Sequence, residues 1–475
     1  MKRKNFCCIC CIRYFAAPEG LHLKKLFDEK SKERPLSPAR RIILSFMCLI
    51  IFGTLMLMLP FSSKGEPLGF LTALYTATSA TCVTGLTLID PFLDLTLFGQ
   101  MVLALLIECG GLGLLTFVSF FMFSISKKAG LHSLQLAQET TAAVDFRGTR
   151  QLVKTIFTTS FAIQSIGAAV LALRFMPGLG FYGAWVSVFT SVSAYCNAGF
   201  DLMGFEGKYS SLVNYNGDPL VMYTVMALII MGGIGFIVFQ DIINFRKTHR
   251  LLLHTRVVLV MSAALIAFGF FSFLVIEYEN PKTIGDMPLF EKINAALFQS
   301  IAARTAGFSS INLGEMHDLS KFIYIMLMFI GAGSGSTGGG IKVTTFAVVA
   351  SSVISVIRGR REATLFGRIV NRYTVYKAVA ITALAVIVVI MCGAVILMLH
   401  PDLSGIDGIF EAVSAFGTVG STAGVTGIIG TPEKIAEIIT MFIGRVGPIS
   451  FVIAVTMKNQ MNKNLILPEG KIMVG

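Results

Sequence analysis

Four stretches of eight residues, recurring at nearly even spacing, constrain this chain more than anything else in it. They read SATCVTGL at 79–86, SAYCNAGF at 193–200, IAARTAGF at 301–308 and SAFGTVGS at 414–421. Each carries a glycine at its seventh position: Gly85, Gly199, Gly307 and Gly420. Their starts lie 114, 108 and 113 residues apart. A recurrence this regular implies one structural unit used four times.

The surroundings of each octapeptide repeat as well. A long apolar run comes first, near 42–60, 152–173, 252–276 and 378–399, long enough to cross a bilayer once. A short apolar segment follows, near 68–80, 181–195, 289–303 and 406–416. It is too short to span and fits a helix that dips into the membrane and ends at the octapeptide. A second long run, near 99–124, 220–245, 321–350 and 433–457, returns the chain. Over 475 residues the chain is 54% hydrophobic and 14% charged, which excludes a soluble protein and suggests one polytopic membrane domain.

Charge placement sets the expected orientation. The net charge is +12, and 29 of the 39 Lys and Arg fall in 1–41, 124–154, 246–256, 351–377 and 458–475. All five segments flank apolar runs on one side, which the positive-inside rule assigns to the cytoplasm. Each unit then starts and ends in the cytoplasm, so the four have the same orientation. The inverted repeats of many alternating-access transporters would put basic loops on both sides. No segment is long enough for a folded basic face, so nucleic acid is not an expected partner. The fold class is an all-α membrane protein of four parallel span–pore helix–filter–span repeats. Eight transmembrane helices and four re-entrant pore helices surround a pseudo-fourfold pore. The divisions are a basic leader 1–41, repeats at 42–126, 150–246, 251–350 and 372–457, and a cytoplasmic tail 458–475.

The nine cysteines do not read as a disulfide framework. Cys48, Cys82, Cys109, Cys196 and Cys392 lie in apolar runs, where thiols pack as small hydrophobes. Cys7, Cys8, Cys10 and Cys11 cluster in FCCICCIRYF, which reads as a membrane-surface segment, with no second pair at zinc spacing. The leader has no small-residue cleavage site, and Pro35 and Pro38 break any helix before the first span.

A short helix ending in a glycine-bearing extended stretch, four times around an axis, is the layout of a cation filter. Backbone carbonyls replace the water of a dehydrated ion. Glycine admits the backbone conformations that turn a carbonyl inward. The negative end of each pore helix favours cations as well. The candidate donors are Val83, Thr84 and Gly85; Asn197, Ala198 and Gly199; Thr305, Ala306 and Gly307; and Thr418, Val419 and Gly420, with potassium as the metal they hold.

The return runs share glycine sets: ECGGLG at 108–113, MGGIGF at 231–236, IGAGSG at 330–335 and IGRVGP at 443–448. In the first, second and fourth, helix packing is the expected role. The third extends into GAGSGSTGGG at 331–340, with six Gly in ten residues, which no helix holds cheaply at roughly 1 kcal/mol per Gly. This span is expected to break at 331–340 beside the pore. Arg304 at the end of the third short helix is expected to support the filter from behind. Arg445 in the last run and Lys342 after the glycine loop are intramembrane cations, functional by default. The glycine run is not a nucleotide loop, because Ile341 stands where the lysine of that motif is required. It is not a serine protease site either, since the one later histidine, His400, lies at the far end of a span. No acid pair, triad or metal cluster suggests an enzyme.

At this point the sequence resembles the Trk/Ktr/HKT superfamily of potassium transporters, and within it the bacterial Ktr form with its KtrB-type membrane subunits. The resemblance covers 40–475 and rests on VTGL at 83–86, NAGF at 197–200, RTAGF at 304–308, GTVG at 417–420, GSTGGGIK at 335–342 and PEGKIMVG at 468–475. No further hairpin of spans precedes residue 42, as in the eight-span Ktr form. The resemblance implies a pore in each subunit of a homodimer in the bacterial plasma membrane, with both termini cytoplasmic. It also implies a cytoplasmic nucleotide-binding regulatory ring of KtrA type and no covalent cofactor. The loop containing Gly331, Gly333, Ser334, Gly335, Ser336, Thr337, Gly338, Gly339 and Gly340, with Lys342, is implied as the gate. Arg445 takes the place of the family's gate-associated arginine. In plant relatives a serine at the first filter glycine goes with sodium transport, so Gly85 points to potassium, with sodium as a candidate co-ion. Ser421 stands where a larger apolar residue is more usual. The reading is a channel-like potassium uptake protein. The alternative is an alternating-access sodium-coupled solute symporter, which needs carboxylates at mid-membrane, whereas only Glu108 and Asp241 lie in or near a span.

Overall fold

A computed structural model describes residues 38–113 and 146–456. Most of the leader with its four clustered cysteines, the loop holding Lys127 and Lys128, the far end of the first return run, and the tail lie outside the described residues.

The helices follow the sequence pattern closely. The first unit has α1 (Pro38–Leu57), α2 (Phe70–Cys82) and α3 (Leu97–Leu112); the second has α4 (Phe146–Leu179), α5 (Phe181–Cys196), α6 (Pro219–Ile234) and α7 (Phe236–Thr248). The third has α8 (Leu253–Ile276), α9 (Leu289–Ala302), α10 (Asp318–Phe329) and α11 (Val343–Ile357); the fourth has α12 (Arg372–Leu399), α13 (Gly405–Gly417), α14 (Thr431–Val446) and α15 (Pro448–Thr456). Pro38 opens α1, since a missing N–H costs nothing in the first turn. The all-α expectation is met except for a two-residue ladder, β1 (Thr364–Leu365) against β2 (Arg368–Ile369), joining α11 to α12.

Burial is arranged for an apolar solvent. The long helices turn apolar side chains outward, such as Phe271 and Val275 on α8 and Ile390 and Met398 on α12. The short helices bury polar ones: Thr76, Thr78 and Thr81 on α2, Thr190 and Ser193 on α5, Asn294 and Gln299 on α9, Glu411 and Ser414 on α13. A soluble protein would do the reverse. Here the bilayer covers the apolar side, and the polar side must meet partners inside the protein.

The units pack as a cycle. The helix returning from each octapeptide lies on the short helix of the next unit: α3 on α5, α6 on α9, α10 on α13, and α14 back on α2. The closing contact is made by Tyr75 on α2, whose hydroxyl donates to Glu437 on α14 at 2.5 Å.

The return helices depart from expectation. Among the described residues only α1, α4, α8 and α12 are unbroken and apolar enough to cross a membrane. A break is present in the third run, between α10 and α11, but it is not confined there. The run expected over 220–245 bends by 94° at Gly235, and the run over 433–457 is interrupted at Gly447. Helix α3 likewise ends at Gly113. The cause is local: these three glycines have φ of +83, +105 and +92° with ψ between 123 and 145°, a region closed to residues with a side chain. Each lies three residues after a glycine with a different task. Any Cβ on Gly110, Gly232 or Gly444 would overlap the backbone oxygen of Thr81, Tyr195 or Phe416, the third residue of its own unit's octapeptide. Helix packing therefore accounts for the first glycine of each set, and backbone conformation for the last.

Candidate functional site

All four octapeptides turn at the same place, although the third short helix stops two residues earlier than the others. The fifth residue of each octapeptide, Val83, Asn197, Thr305 and Thr418, has a left-handed backbone with φ between +51 and +72°. For residues other than glycine this costs roughly 1 kcal/mol or more. The turn is held by hydrogen bonds back into the helix, Thr84 N to Ser79 O at 2.7 Å, Ala198 N to Ser193 O at 2.8 Å and Val419 N to Ser414 O at 2.9 Å. In the first and fourth units the first residue of the octapeptide then reaches the seventh. Ser79 Oγ accepts from Gly85 N at 3.0 Å, and Ser414 Oγ accepts from Gly420 N at 3.2 Å. In a trans peptide the preceding carbonyl points opposite to that N–H. Thr84 O and Val419 O are thereby turned away from their own helices.

They turn toward the neighbouring units. A Cβ on Gly420 would overlap Thr84 O, one on Gly307 would overlap Val419 O, one on Gly199 would stand 3.0 Å from Ala306 O, and one on Gly85 would stand 2.5 Å from Ala198 O. The glycines themselves touch in order, so that Gly85, Gly199, Gly307 and Gly420 close a ring with sixth-position oxygens between them. All four have positive φ, from +70 to +96°. The fifth and sixth residues around them are fully buried. The four short helices bring their C-terminal ends, each carrying about half a negative charge, to this ring.

The glycine loop lies against the ring. It is closed at its base by Ile330 and Ile341, with Gly331 N donating to Ile341 O at 2.8 Å. It also fills the break of the second unit: Gly333 N donates to Gly233 O at 2.9 Å and Phe236 N to Gly335 O at 2.9 Å. Within the loop Ser334 Oγ pairs with Thr344 Oγ1 at 2.6 Å, and Ser336 Oγ donates to Gly333 O at 2.6 Å. Gly340, with φ of +65°, turns the chain past Gly417.

The three intramembrane cations all serve this loop. Lys342 Nζ donates back to Gly338 O at 2.5 Å. Arg304, expected behind the filter, donates to Gly331 O at 3.3 Å and to Ser262 O of α8 at 3.4 Å, so it holds the start of the loop. Arg445 occupies the place that Gly111, Gly233 and Ala332 take in the other units, each one residue after the glycine aligned with Gly444. The fourth unit alone therefore carries a long charged side chain at this position. It donates to Thr337 O of the loop, to Gly110 O, and to Gly111 O at 3.2 Å.

Some buried groups escaped the sequence reading. Glu411, Glu433 and Glu437 are buried, in addition to the half-buried Glu108 named from the sequence, so carboxylates inside the protein are more numerous than expected. Glu411 accepts from Thr422 Oγ1 at 2.8 Å and from Thr426 Oγ1, tying the fourth short helix to the loop after it. Glu108 accepts from Gln164 Nε2 at 2.9 Å and from Cys196 Sγ at 3.3 Å, behind the second octapeptide. Glu411 and Glu437 lie mid-helix and Glu433 in a first turn, and nothing in the sequence around them signalled burial. Asp241 instead caps a turn through Leu252 N at 2.9 Å. Ser421 pairs with Tyr324, hydroxyl to hydroxyl at 3.0 Å, which a larger apolar residue could not do.

Comparison with known proteins agrees with this architecture. The TrkH family, described as cation transport protein, matches residues 22–465. The chain is 38% identical to the Ktr system potassium uptake protein B of Bacillus subtilis over 94% of this chain and 99% of that one. It is 37% identical to the potassium/sodium uptake protein NtpJ of Enterococcus hirae, over 94% and 99%. The crystal structure of the potassium transporter TrkH from Vibrio parahaemolyticus superposes with a TM-score of 0.69 at 15% identity, covering 90% of this chain and 86% of that chain. This is a family of transporters, not of enzymes. The chain is a multi-pass membrane protein that belongs to the TrkH family of cation transport proteins.

Proposed function

We propose that this chain is a channel-like potassium uptake protein whose ions pass through the glycine ring. The ring supports this more than any other single observation: four glycines in mutual contact, with backbone oxygens between them, at the ends of four short helices. In this reading the four units are parallel, their cycle is a pseudo-fourfold pore, and the twelve residues of the fifth, sixth and seventh positions form the filter. Main-chain oxygens stand in for the hydration shell of potassium. The driving force is the membrane potential, about 2.3 kcal/mol per charge at 100 mV, worth roughly fiftyfold accumulation of a monovalent cation. The relatives named for potassium uptake support the choice of ion, and NtpJ, named for both ions, makes sodium the competitor to measure.

The loop 331–340 is the gate, held shut by Arg445 and braced by Arg304 and Lys342. A homodimer with cytoplasmic termini, opened by a KtrA-type nucleotide-binding ring, is the assembly proposed. The reading is tested by potassium-limited growth of an uptake-deficient host, with and without such a ring, and by rubidium and sodium flux into proteoliposomes. Rescue with potassium flux is expected. Transport that requires a co-substrate gradient would establish the symporter instead.

Arg445→Ala is expected to raise basal flux without the regulatory ring by roughly tenfold or more. Three hydrogen bonds from a charged donor are lost, each worth about 1.5–3 kcal/mol, and the gate loses its tie to α3. Arg445→Lys, which cannot fork, is expected to fall between. A fall in flux by a folded Arg445→Ala protein would place this residue in conduction rather than closure.

A further inference from the structure

Three consecutive residues of the glycine loop meet the fifth residues of three consecutive octapeptides. Thr337 Oγ1 lies 3.3 Å from the amide of Asn197 in the second unit and donates to Tyr195 O at 3.1 Å. A Cβ on Gly338 would overlap Thr305 Oγ1 of the third unit, and a Cβ on Gly339 would overlap Thr418 Oγ1 of the fourth. Where the loop touches, the fifth residue is polar; in the first unit it is Val83. The hydroxyls of Thr305 and Thr418 are fully buried and hydrogen-bond to no protein group. These are also the residues whose left-handed backbone sets the direction of the next carbonyl.

Thr337 is the junction. Its side chain reaches the end of the second short helix, its N–H donates to Gly232 O at 3.3 Å, and its carbonyl accepts from Arg445 of the fourth unit. Moving the loop away would remove the support under three strained turns at once.

We propose that the glycine loop is the floor of the ion-binding ring as well as its gate, with Thr337 as a positioning residue, so that opening the loop loosens the preference for potassium over sodium. This rests on the reading above. It goes beyond a steric plug, because a plug would leave ion preference unchanged. By linkage, potassium in the ring must favour the seated loop more than sodium in the ring does, by the same factor.

The test uses the full-length protein in detergent and in proteoliposomes. It reads the ratio of potassium to sodium affinity from ion-dependent thermal stabilisation, together with basal rubidium flux. Thr337→Val, which keeps shape and removes the hydroxyl, is expected to lower the ratio roughly two- to tenfold, the range of one ordinary hydrogen bond, and Thr337→Ser to restore it. Gly339→Ala, which pushes the loop from Thr418 without touching the ring glycines, is expected to raise basal flux and lower the ratio together. Basal flux that rises in Gly339→Ala at an unchanged ratio overturns the coupling, as does equal loss in Thr337→Val and Thr337→Ser. If Thr337→Val does not fold, Gly339→Ala decides alone. Gly85→Ser separates the two levels of the argument. A shift there with none in the loop variants removes the coupling only, and no shift in any of them removes the ring as the ion site.

Discussion

Deletion of Ser334 to Gly338 is expected to give a protein that folds and conducts without its regulatory ring, with basal potassium flux raised roughly tenfold or more. The deleted residues are the tip of a loop whose base stays closed through Ile330 and Ile341, with Val343 N donating to Ala332 O at 3.2 Å. The tip carries Thr337, and with it the anchor of Arg445 and the contact with the second octapeptide. A closed state a few kcal/mol below the open one leaves only 0.1–10% open, so loss of these contacts has a wide range to act on. Rubidium uptake into proteoliposomes measures it. A deletion protein that is monodisperse and thermally stable yet remains shut would take the gate away from this loop.

Gly85→Ser is expected to lower the ratio of potassium to sodium flux by about tenfold. Two costs coincide at this position. Gly85 has φ of +96°, where a side chain adds roughly 1–2 kcal/mol, and a Cβ would stand 2.5 Å from Ala198 O and 3.1 Å from Gly199 Cα. Relief requires the first stretch to retreat from the second, which moves Thr84 O and Ala198 O apart. A ring that loses its spacing loses discrimination between ions of different size before it loses passage. Competitive flux with both ions present reads the effect. An unchanged ratio in a folded protein would take Gly85 out of the ion path.

The four octapeptides, their short helices and the long apolar runs before them were legible in the sequence because each is dictated locally. A bilayer demands about twenty apolar residues for a span, and the short segments fall visibly below that. The ring glycines recur because their own backbone angles and the oxygen beside each exclude a side chain. The break in the third return run was legible too, since six glycines in ten residues defeat a helix by composition alone.

The other breaks were not. Gly110 and Gly113 look alike in ECGGLG, yet one is required by a neighbouring carbonyl and the other by its own dihedral angles. The same holds for Gly232 and Gly235, and for Gly444 and Gly447. The burial of Glu411 and Glu437, the turn of Arg304 toward Gly331, and the triple anchorage of Arg445 also emerged only in three dimensions. The sequence by itself determined that four like units recur, where each short helix ends and that the third return run breaks, because these follow from hydrophobic length and glycine content within a few residues. Only the tertiary structure decided which oxygen, hydroxyl or guanidinium stands opposite each of them, because those partners come from units about a hundred residues away and meet only once the cycle closes.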